Sequence, residues 1–161
     1  MYKKRKKLST IHFIFNIVII VIPWLSILFL GKRNVKRFWF ASFVIFILEL
    51  ISHKIGQKLE WWKFYDRKKS YLTNELPFSI GPYMPLSMWL LKLGNGDLKK
   101  FFILNAISDG MFAFVGIQLL NKIKIIGLHR LNPFQFFLYL YHKAFILYGV
   151  QYLYDKKLQS S

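Results

Sequence analysis

The stretch that decides the fold is residues 11–30, IHFIFNIVIIVIPWLSILFL, which contains no Asp, Glu, Lys or Arg over 20 residues. About 20 apolar residues are what a helix needs to cross roughly 30 Å of hydrocarbon at 1.5 Å per residue. Pro23 would only kink such a helix, because neighbouring helices can satisfy the freed backbone groups. The stretch therefore predicts a transmembrane helix rather than the core of a soluble domain.

The residues before this stretch are strongly basic, since positions 3–7 are all Lys or Arg. A basic segment followed by an apolar run resembles a secretory signal, but no small-residue cleavage site follows. We therefore expect an uncleaved signal anchor that stays as the first helix, with a cytoplasmic N-terminus.

Four further apolar stretches continue the pattern along the chain. Residues 38–55, 101–120 and 134–153 are long enough, or nearly so, to predict membrane spans. Residues 77–91 are shorter and contain Pro77, Pro82 and Pro85, which leaves a kinked span, a half-helix starting at Pro82 or a re-entrant segment open, with a span favoured. The predicted fold is all-α: one polytopic membrane domain of residues 1–161 with four or five transmembrane helices and one short Pro-broken segment.

Charge supports this interpretation and gives an orientation. The chain has a net charge of +17, from 24 Lys and Arg against 7 Asp and Glu, and the basic residues lie between the apolar runs. Such loops face anionic head groups, whereas nucleic acid is not an expected partner because its recognition motifs are missing. With five spans, 14 Lys and Arg residues fall on the side of the membrane that holds the N-terminus, and 9 fall on the other side. If residues 77–91 are re-entrant instead, the two counts become 16 and 7. Both arrangements predict a cell-membrane protein with its N-terminus inside.

A few polar side chains interrupt the apolar runs, and helical spacing places them on inward-facing stripes. Charged groups in a bilayer cost roughly 2.5–3.5 kcal/mol on insertion scales, so each one requires a partner or a purpose. The predicted polar interior of the bundle consists of Glu49, His53, Asn105, Asp109, His142 and Lys143. One hypothesis makes this cluster structural, with Asp109 or Glu49 neutralising Lys143. The other makes it a hydrophilic cavity for an ion, a proton relay or a lipid head group.

Catalytic motifs are missing from the sequence. Without cysteine there are no disulfides, thiolate zinc sites or cysteine nucleophiles. There is no H-E-x-x-H pair, no G-x-S-x-G turn and no phosphate-binding glycine loop. Glu49 and His53, four residues apart, could act as an acid and base pair, but such a pair is common by chance. We therefore predict no catalytic residues, no metal and no cofactor.

Residues 57–74 form an aromatic and basic segment after the second predicted span. Trp and Tyr prefer the head-group level, and nearby cations attract anionic lipid by roughly 1 kcal/mol each. We predict an interfacial helix or loop that contacts lipid or a partner protein through Trp61, Trp62, Lys63, Tyr65, Arg67, Lys68 and Lys69.

One resemblance extends over residues 40–115. The succession Glu49, Trp61-Trp62, Phe64-Tyr65, Gly81-Pro82, Pro85, Trp89, Asn105 and Asp109 resembles small uncharacterised multi-pass membrane proteins of Firmicutes. The resemblance implies a bacterial plasma membrane and no activity, and it transfers no functional residues.

Three functional hypotheses follow from these patterns. The preferred one is a non-enzymatic membrane protein that acts by binding lipid, which we expect to be anionic, or a membrane-protein partner. The alternative is a small transporter or channel subunit with a polar pathway, which a homo-oligomer would complete. The third is an intramembrane enzyme.

Overall fold

The computed structural model describes residues 2–65 and 74–160, with side chains from residue 10 onward. The described chain is mostly helical. Its helices are α1 (Tyr2–Ser26), α2 (Lys32–Lys58), α3 (Glu75–Phe78), α4 (Met84–Gly94), α5 (Leu98–Met111), α6 (Ile117–Lys122) and α7 (Pro133–Gln159). A 3₁₀ turn, Ile27–Phe29, extends α1, and π-helical turns join α3 to α4 (Ser79–Tyr83) and α5 to α6 (Phe112–Gly116). The described residues thus form five continuous helical stretches.

Three of these stretches, among the described residues, are long and apolar enough to cross a membrane: Thr10–Phe29, Lys32–Lys58 and Leu98–Lys122. Little of their apolar surface is covered by the protein itself. In their most apolar parts only 6%, 33% and 17% of the residues, respectively, are buried inside the protein. Side chains such as Phe13, Leu28 and Ile107 lie on the outside of the bundle. Hydrocarbon around the bundle would remove this surface from water, as a membrane location requires.

The Pro-broken segment is a continuous helix from Glu75 to Gly94, longer than the predicted 77–91. Pro82 has no N–H and lies inside the π-helical turn, which is where such a helix can accommodate it. Gly81 lets this helix approach α1, because a Cβ atom there would clash with the Ile19 carbonyl group. The half-helix starting at Pro82 is therefore not what the structure shows.

A two-stranded antiparallel sheet departs from the all-α prediction. Strands β1 (Trp62–Phe64) and β2 (Ile126–Leu128) pair with Trp62 opposite Leu128 and Phe64 opposite Ile126. Lys63 points outward, whereas Trp62 is buried. Part of the predicted interfacial segment 57–74 is therefore a strand rather than an interfacial helix. The predicted contact residues Arg67, Lys68 and Lys69 lie outside the described residues.

Side-chain contacts define two ends of the bundle. We call the end that holds β1 and β2 the sheet end; there His12 on α1 bonds the Lys124 carbonyl group at 2.8 Å. We call the opposite end, which holds Gly31 and residues 95–97, the turn end; there Tyr148 on α7 bonds the Gly96 carbonyl group at 3.4 Å.

Helix termini at both ends carry caps that the sequence encodes. Asn132 and Gln135 form a reciprocal capping box at the start of α7, with Pro133 as its first residue. The Asp97 side chain accepts a hydrogen bond from the Lys100 backbone N–H at the start of α5.

Two apolar clusters form the core, one toward each end. The turn-end cluster includes Phe38, Ile45 and Phe101, all nearly inaccessible to solvent. The sheet-end cluster includes Trp62 and Phe136. α2 packs against both α4 and α7. Along α2 and α7, a group of charged residues lies between the two apolar clusters.

Candidate functional site within the helix bundle

The carboxylate of Glu49 is the centre of this buried charged group, and its side chain is fully inaccessible to solvent. Its Oε2 accepts a hydrogen bond from Lys143 Nζ, whose side chain is also buried. Its Oε1 lies 3.0 Å from His53 Nε2 and 3.3 Å from the Tyr139 hydroxyl group. We call Glu49, His53, Tyr139 and Lys143 the Glu49 cluster. Both charges of the pair are therefore satisfied within the protein, which offsets part of their desolvation cost.

Helical spacing on two packed helices assembles the cluster. His53 follows Glu49 by four residues on α2, and Lys143 follows Tyr139 by four residues on α7. Residues four apart lie on the same helical face, one turn above each other. Because α2 and α7 pack together, the two pairs face each other across the interface.

The π-helical turn contributes a third side to the site. Ser79 Oγ lies 2.7 Å from His53 Nδ1, so that both ring nitrogens of His53 have partners. Lys143 Nζ lies 3.8 Å from the centre of the Tyr139 ring and 5.1 Å from that of Tyr83. These distances are within the range of cation–π attraction. Three elements of the chain thus stabilise one buried cation.

The structure brings together four of the six residues predicted for the polar interior. Glu49, His53 and Lys143 are in direct contact, and the half-buried Asp109 on α5 interacts electrostatically with Lys143 and Glu49. Asn105 is buried but donates its side-chain hydrogen bond to the Phe101 carbonyl group of its own helix, at 2.8 Å.

His142 is a correction to the sequence-based prediction. Its side chain is exposed on α7, and Lys143 is the residue that faces the interior. The ring of His142 lies 6.0 Å from the ring of Tyr139, so it contacts the site from outside.

Comparison with known proteins leaves the site without a template. No protein-family model, no curated protein and no solved structure matches this chain. The resemblance to membrane proteins of Firmicutes stays a prediction.

A cavity of about 30 Å³ adjoins the cluster, lined among others by Glu49, His53, Tyr83 and Tyr139. A space of this size holds about one water molecule and excludes an organic substrate. Among the described residues, no group of three or more His, Asp or Glu side chains could hold a metal ion. The side chains of the Glu49 cluster can form ion pairs, bind water and exchange protons.

The predicted contact segment is divided by the structure. Trp62 is not an interfacial side chain, because it is 93% buried and packs edge-on against His53, with ring centroids 5.4 Å apart. Trp61 and Tyr65 are half-buried, and the Tyr65 hydroxyl group donates to Asn121 Oδ1 at 2.6 Å. Lys63 remains exposed at the sheet end. Trp62 therefore links the sheet to the Glu49 cluster rather than to lipid.

Proposed function

We propose that this chain is a five-pass protein of the cell membrane that acts by binding membrane lipid or a membrane-protein partner at its cytoplasmic sheet end. The observation that carries the proposal is an exposed basic surface beside the two-stranded sheet at that end. We call it the basic platform: Lys63, Lys122, Lys124 and Arg130, all exposed.

Contacts at opposite ends of the helices support five spans. The helix from Glu75 to Gly94 starts beside the sheet, where Phe78 packs on Phe64 with ring centroids 5.8 Å apart. Near its other end, Lys92 Nζ donates to the Leu30 carbonyl group at 3.3 Å, at the turn end. α7 likewise runs from the sheet end to an ion pair between Asp155 and Arg37 at the turn end. Each of these two helices therefore extends between the same two ends as the three candidate spans.

The distribution of basic residues supports a cytoplasmic sheet end. By the sequence count for five spans, 14 Lys and Arg residues fall on the side of the N-terminus, and 9 fall on the other side. The cytoplasmic side of a membrane protein normally holds this excess.

The strand beneath the platform packs closely on α2, and two platform cations contact neighbouring side chains. Trp62 lies against Gly56 so closely that a Cβ on the glycine would clash with its ring. Lys124 Nζ lies 4.9 Å from the centre of the Tyr65 ring. Arg130 pairs with Glu60 at 2.9 Å, and both side chains are largely exposed. Each platform lysine near an anionic head group contributes about 1 kcal/mol.

A polymer-extraction experiment tests the proposal. Discs cut directly from cell membranes would be analysed for their lipid content and for co-purifying proteins. We expect Lys63→Gln/Lys124→Gln to lower the enrichment of anionic lipid or to remove a protein partner. The matched control, Lys99→Gln/Lys100→Gln at the turn end, removes the same charge and should change neither. A platform variant with unchanged lipid and protein content would overturn the proposal.

A second candidate function, a proton pathway, is favoured by one observation. Asp109 is half-buried within electrostatic reach of Lys143, and the water-sized cavity adjoins the Glu49 cluster. Proton flux into vesicles containing the purified chain should then be abolished by Asp109→Asn at normal protein abundance. A loss of abundance without any wild-type flux would instead support a structural role for the carboxylate.

A further inference from the structure

A cavity lies at the turn end, far along the bundle from the Glu49 cluster. It measures about 420 Å³ and lies open to the surface between the first turns of α2 and α5 and the last turns of α4 and α7. This volume is within the range of pockets that hold small molecules, about 300–1,000 Å³. We call it the turn-end pocket.

The pocket combines an apolar floor with a polar rim. Phe38, Leu91 and Phe101 contribute the floor, and each is at least 95% buried. Arg37 and Lys156 lie on the rim as exposed cations. This arrangement suits a ligand with an apolar part and a negatively charged part.

Gln151 shows what else the ligand must provide. Its side chain lines the pocket, is 95% buried and donates from Nε2 to Asp155 Oδ1 at 2.9 Å and to the Arg37 carbonyl group at 3.4 Å. Both partners are acceptors, so the amide nitrogen must face them and cannot exchange places with Oε1. Within residues 2–65 and 74–160, Gln151 Oε1 has no hydrogen-bond partner. A buried acceptor without a partner costs free energy, and a ligand hydroxyl group that donates to it would remove this cost.

The charges on the rim favour an anion. Asp155 is already satisfied, because Arg37 contacts both of its oxygens at 3.2 Å and 2.8 Å and Gln151 donates to one of them. Arg37 keeps guanidinium N–H groups that this ion pair does not use, and Lys156 is exposed. The two cations and one carboxylate leave one positive charge, which a singly charged anion would balance.

The surroundings of the pocket indicate a lipid rather than a soluble molecule. Tyr152 lines the pocket and is 59% exposed on the outer surface of the bundle. Beside it, Phe40 on α2 stacks on Tyr154 of α7 with ring centroids 5.1 Å apart. Exposed aromatic side chains near helix ends are typical of the head-group level of a membrane. An acyl chain could therefore leave the pocket along an apolar surface.

We propose that the turn-end pocket binds the head group of an anionic glycerophospholipid with hydroxyl groups, of the phosphatidylglycerol class, with its phosphate beside Arg37 and Lys156 and a hydroxyl group donating to Gln151 Oε1. The proposal uses the five-span membrane arrangement proposed above. It concerns a different site, on the opposite side of the membrane from the basic platform.

Native mass spectrometry of the full chain in detergent tests the proposal. The lipids phosphatidylglycerol, phosphatidic acid and phosphatidylcholine, with identical acyl chains, would be titrated separately. We expect phosphatidylglycerol to bind about tenfold more tightly than phosphatidylcholine, as one charge-assisted hydrogen bond allows. Soluble glycerophosphoglycerol, which is the same head group without acyl chains, should not compete with phosphatidylglycerol at equal concentration.

Two variants assign the binding to the pocket. Gln151→Met keeps the size of the side chain and removes the acceptor, so it should weaken phosphatidylglycerol binding without weakening phosphatidic acid binding. Lys156→Gln changes an exposed side chain and should weaken the binding of both lipids. The control Lys36→Gln removes a charge from the same end outside the pocket and should leave both unchanged. If Gln151→Met is not monodisperse, the test is decided by comparing phosphatidylglycerol binding of Lys156→Gln with that of Lys36→Gln.

Three results would overturn the proposal: equal binding of all three lipids, variants that bind phosphatidylglycerol like the wild type, or full competition by glycerophosphoglycerol. The last would assign the pocket to a soluble organophosphate. Carbonate extraction of the same variants from membranes separates this failure from failure of the membrane proposal. A chain that resists extraction but lacks lipid selectivity refutes only the pocket.

Discussion

Separating the charges of Glu49 and Lys143 should destabilise the bundle strongly. The two side chains are 0% and 4% exposed, so neither charge can be solvated when its partner is lost. Removing one member of a buried ion pair costs about 3–5 kcal/mol. Glu49→Gln and Lys143→Met should therefore each lower the free energy of unfolding by about this amount.

The double variant should be far less harmful than the sum of the two single ones. Gln at position 49 keeps an oxygen that can accept from Tyr139 and His53, and Met at position 143 fills space without a charge. Replacing both members of a buried pair by neutral groups is often close to neutral in stability. We therefore expect the double variant to be at least as stable as either single variant, with a coupling free energy of about 3 kcal/mol.

The assay is reversible unfolding of the purified protein in mixed detergent micelles, followed by circular dichroism. The control is the exposed pair of Glu60 and Arg130, whose side chains are 60% and 64% accessible. Arg130→Gln should change the free energy of unfolding by at most about 1 kcal/mol. Additive losses for Glu49→Gln and Lys143→Met would refute the reasoning, because they would show that the two charges do not stabilise each other.

Three further predictions concern packing, topology and the exterior of α7. Gly81→Val should lower the yield of folded protein, measured by size-exclusion chromatography, because its side chain would collide with the Ile19 carbonyl group; normal yield would contradict the close approach of α1. The chain has no cysteine, so a single introduced cysteine can be labelled with a thiol reagent that does not cross the membrane. Lys63→Cys should react in inverted vesicles but not in intact cells, and Asn95→Cys should react in intact cells but not in inverted vesicles. Reaction of both variants from the same side would contradict five spans. His142→Ala should leave thermal stability within about 0.5 kcal/mol, since surface substitutions away from special features do so, and a large loss would contradict its exposure.

The helices were predictable because each long apolar run has one physical explanation. Residues 11–30 and 101–120 fall within the helices Tyr2–Ser26, Leu98–Met111 and Ile117–Lys122 and their adjoining turns. The ends were less predictable, since the helices continue into flanking polar residues. Hydropathy does not indicate at which residue a helix begins or ends. Capping residues determine this, as Asn132 does at the start of α7.

The sheet could not be predicted from local pattern. Trp62–Phe64 and Ile126–Leu128 are three residues each, below the length at which alternation is recognisable, and about 60 residues separate them. Their pairing depends on the helices that bring both segments to the same end of the bundle.

The candidate site was predictable in its charged members and not in its aromatic ones. Ordinary helical spacing links Glu49 to His53. Charged side chains such as Glu49 are the residues that most need a partner within a membrane. Ser79 and Tyr83 were missed because they belong to a π-helical turn, whose i→i+5 bonding shifts the phase on which spacing arguments depend. Lys143 and His142 are adjacent in sequence. A small error in the predicted rotation of α7 about its axis therefore changes which of the two faces the interior of the bundle.

The contacts of the Glu49 cluster indicate what fixes the arrangement of the helices. Glu49 receives hydrogen bonds from α2 and α7, and Lys143 is flanked by Tyr83 of the π-helical turn. Shifting any of these elements by one turn, about 5.4 Å, would separate at least one pair. Because that separation leaves a buried charge unpaired, the cluster favours a single register of the helices. The basic platform and the turn-end pocket lack this constraint, since their cations are exposed. The centre of the bundle therefore fixes the arrangement of the helices, and the two binding sites that we propose lie at its ends, away from this cluster.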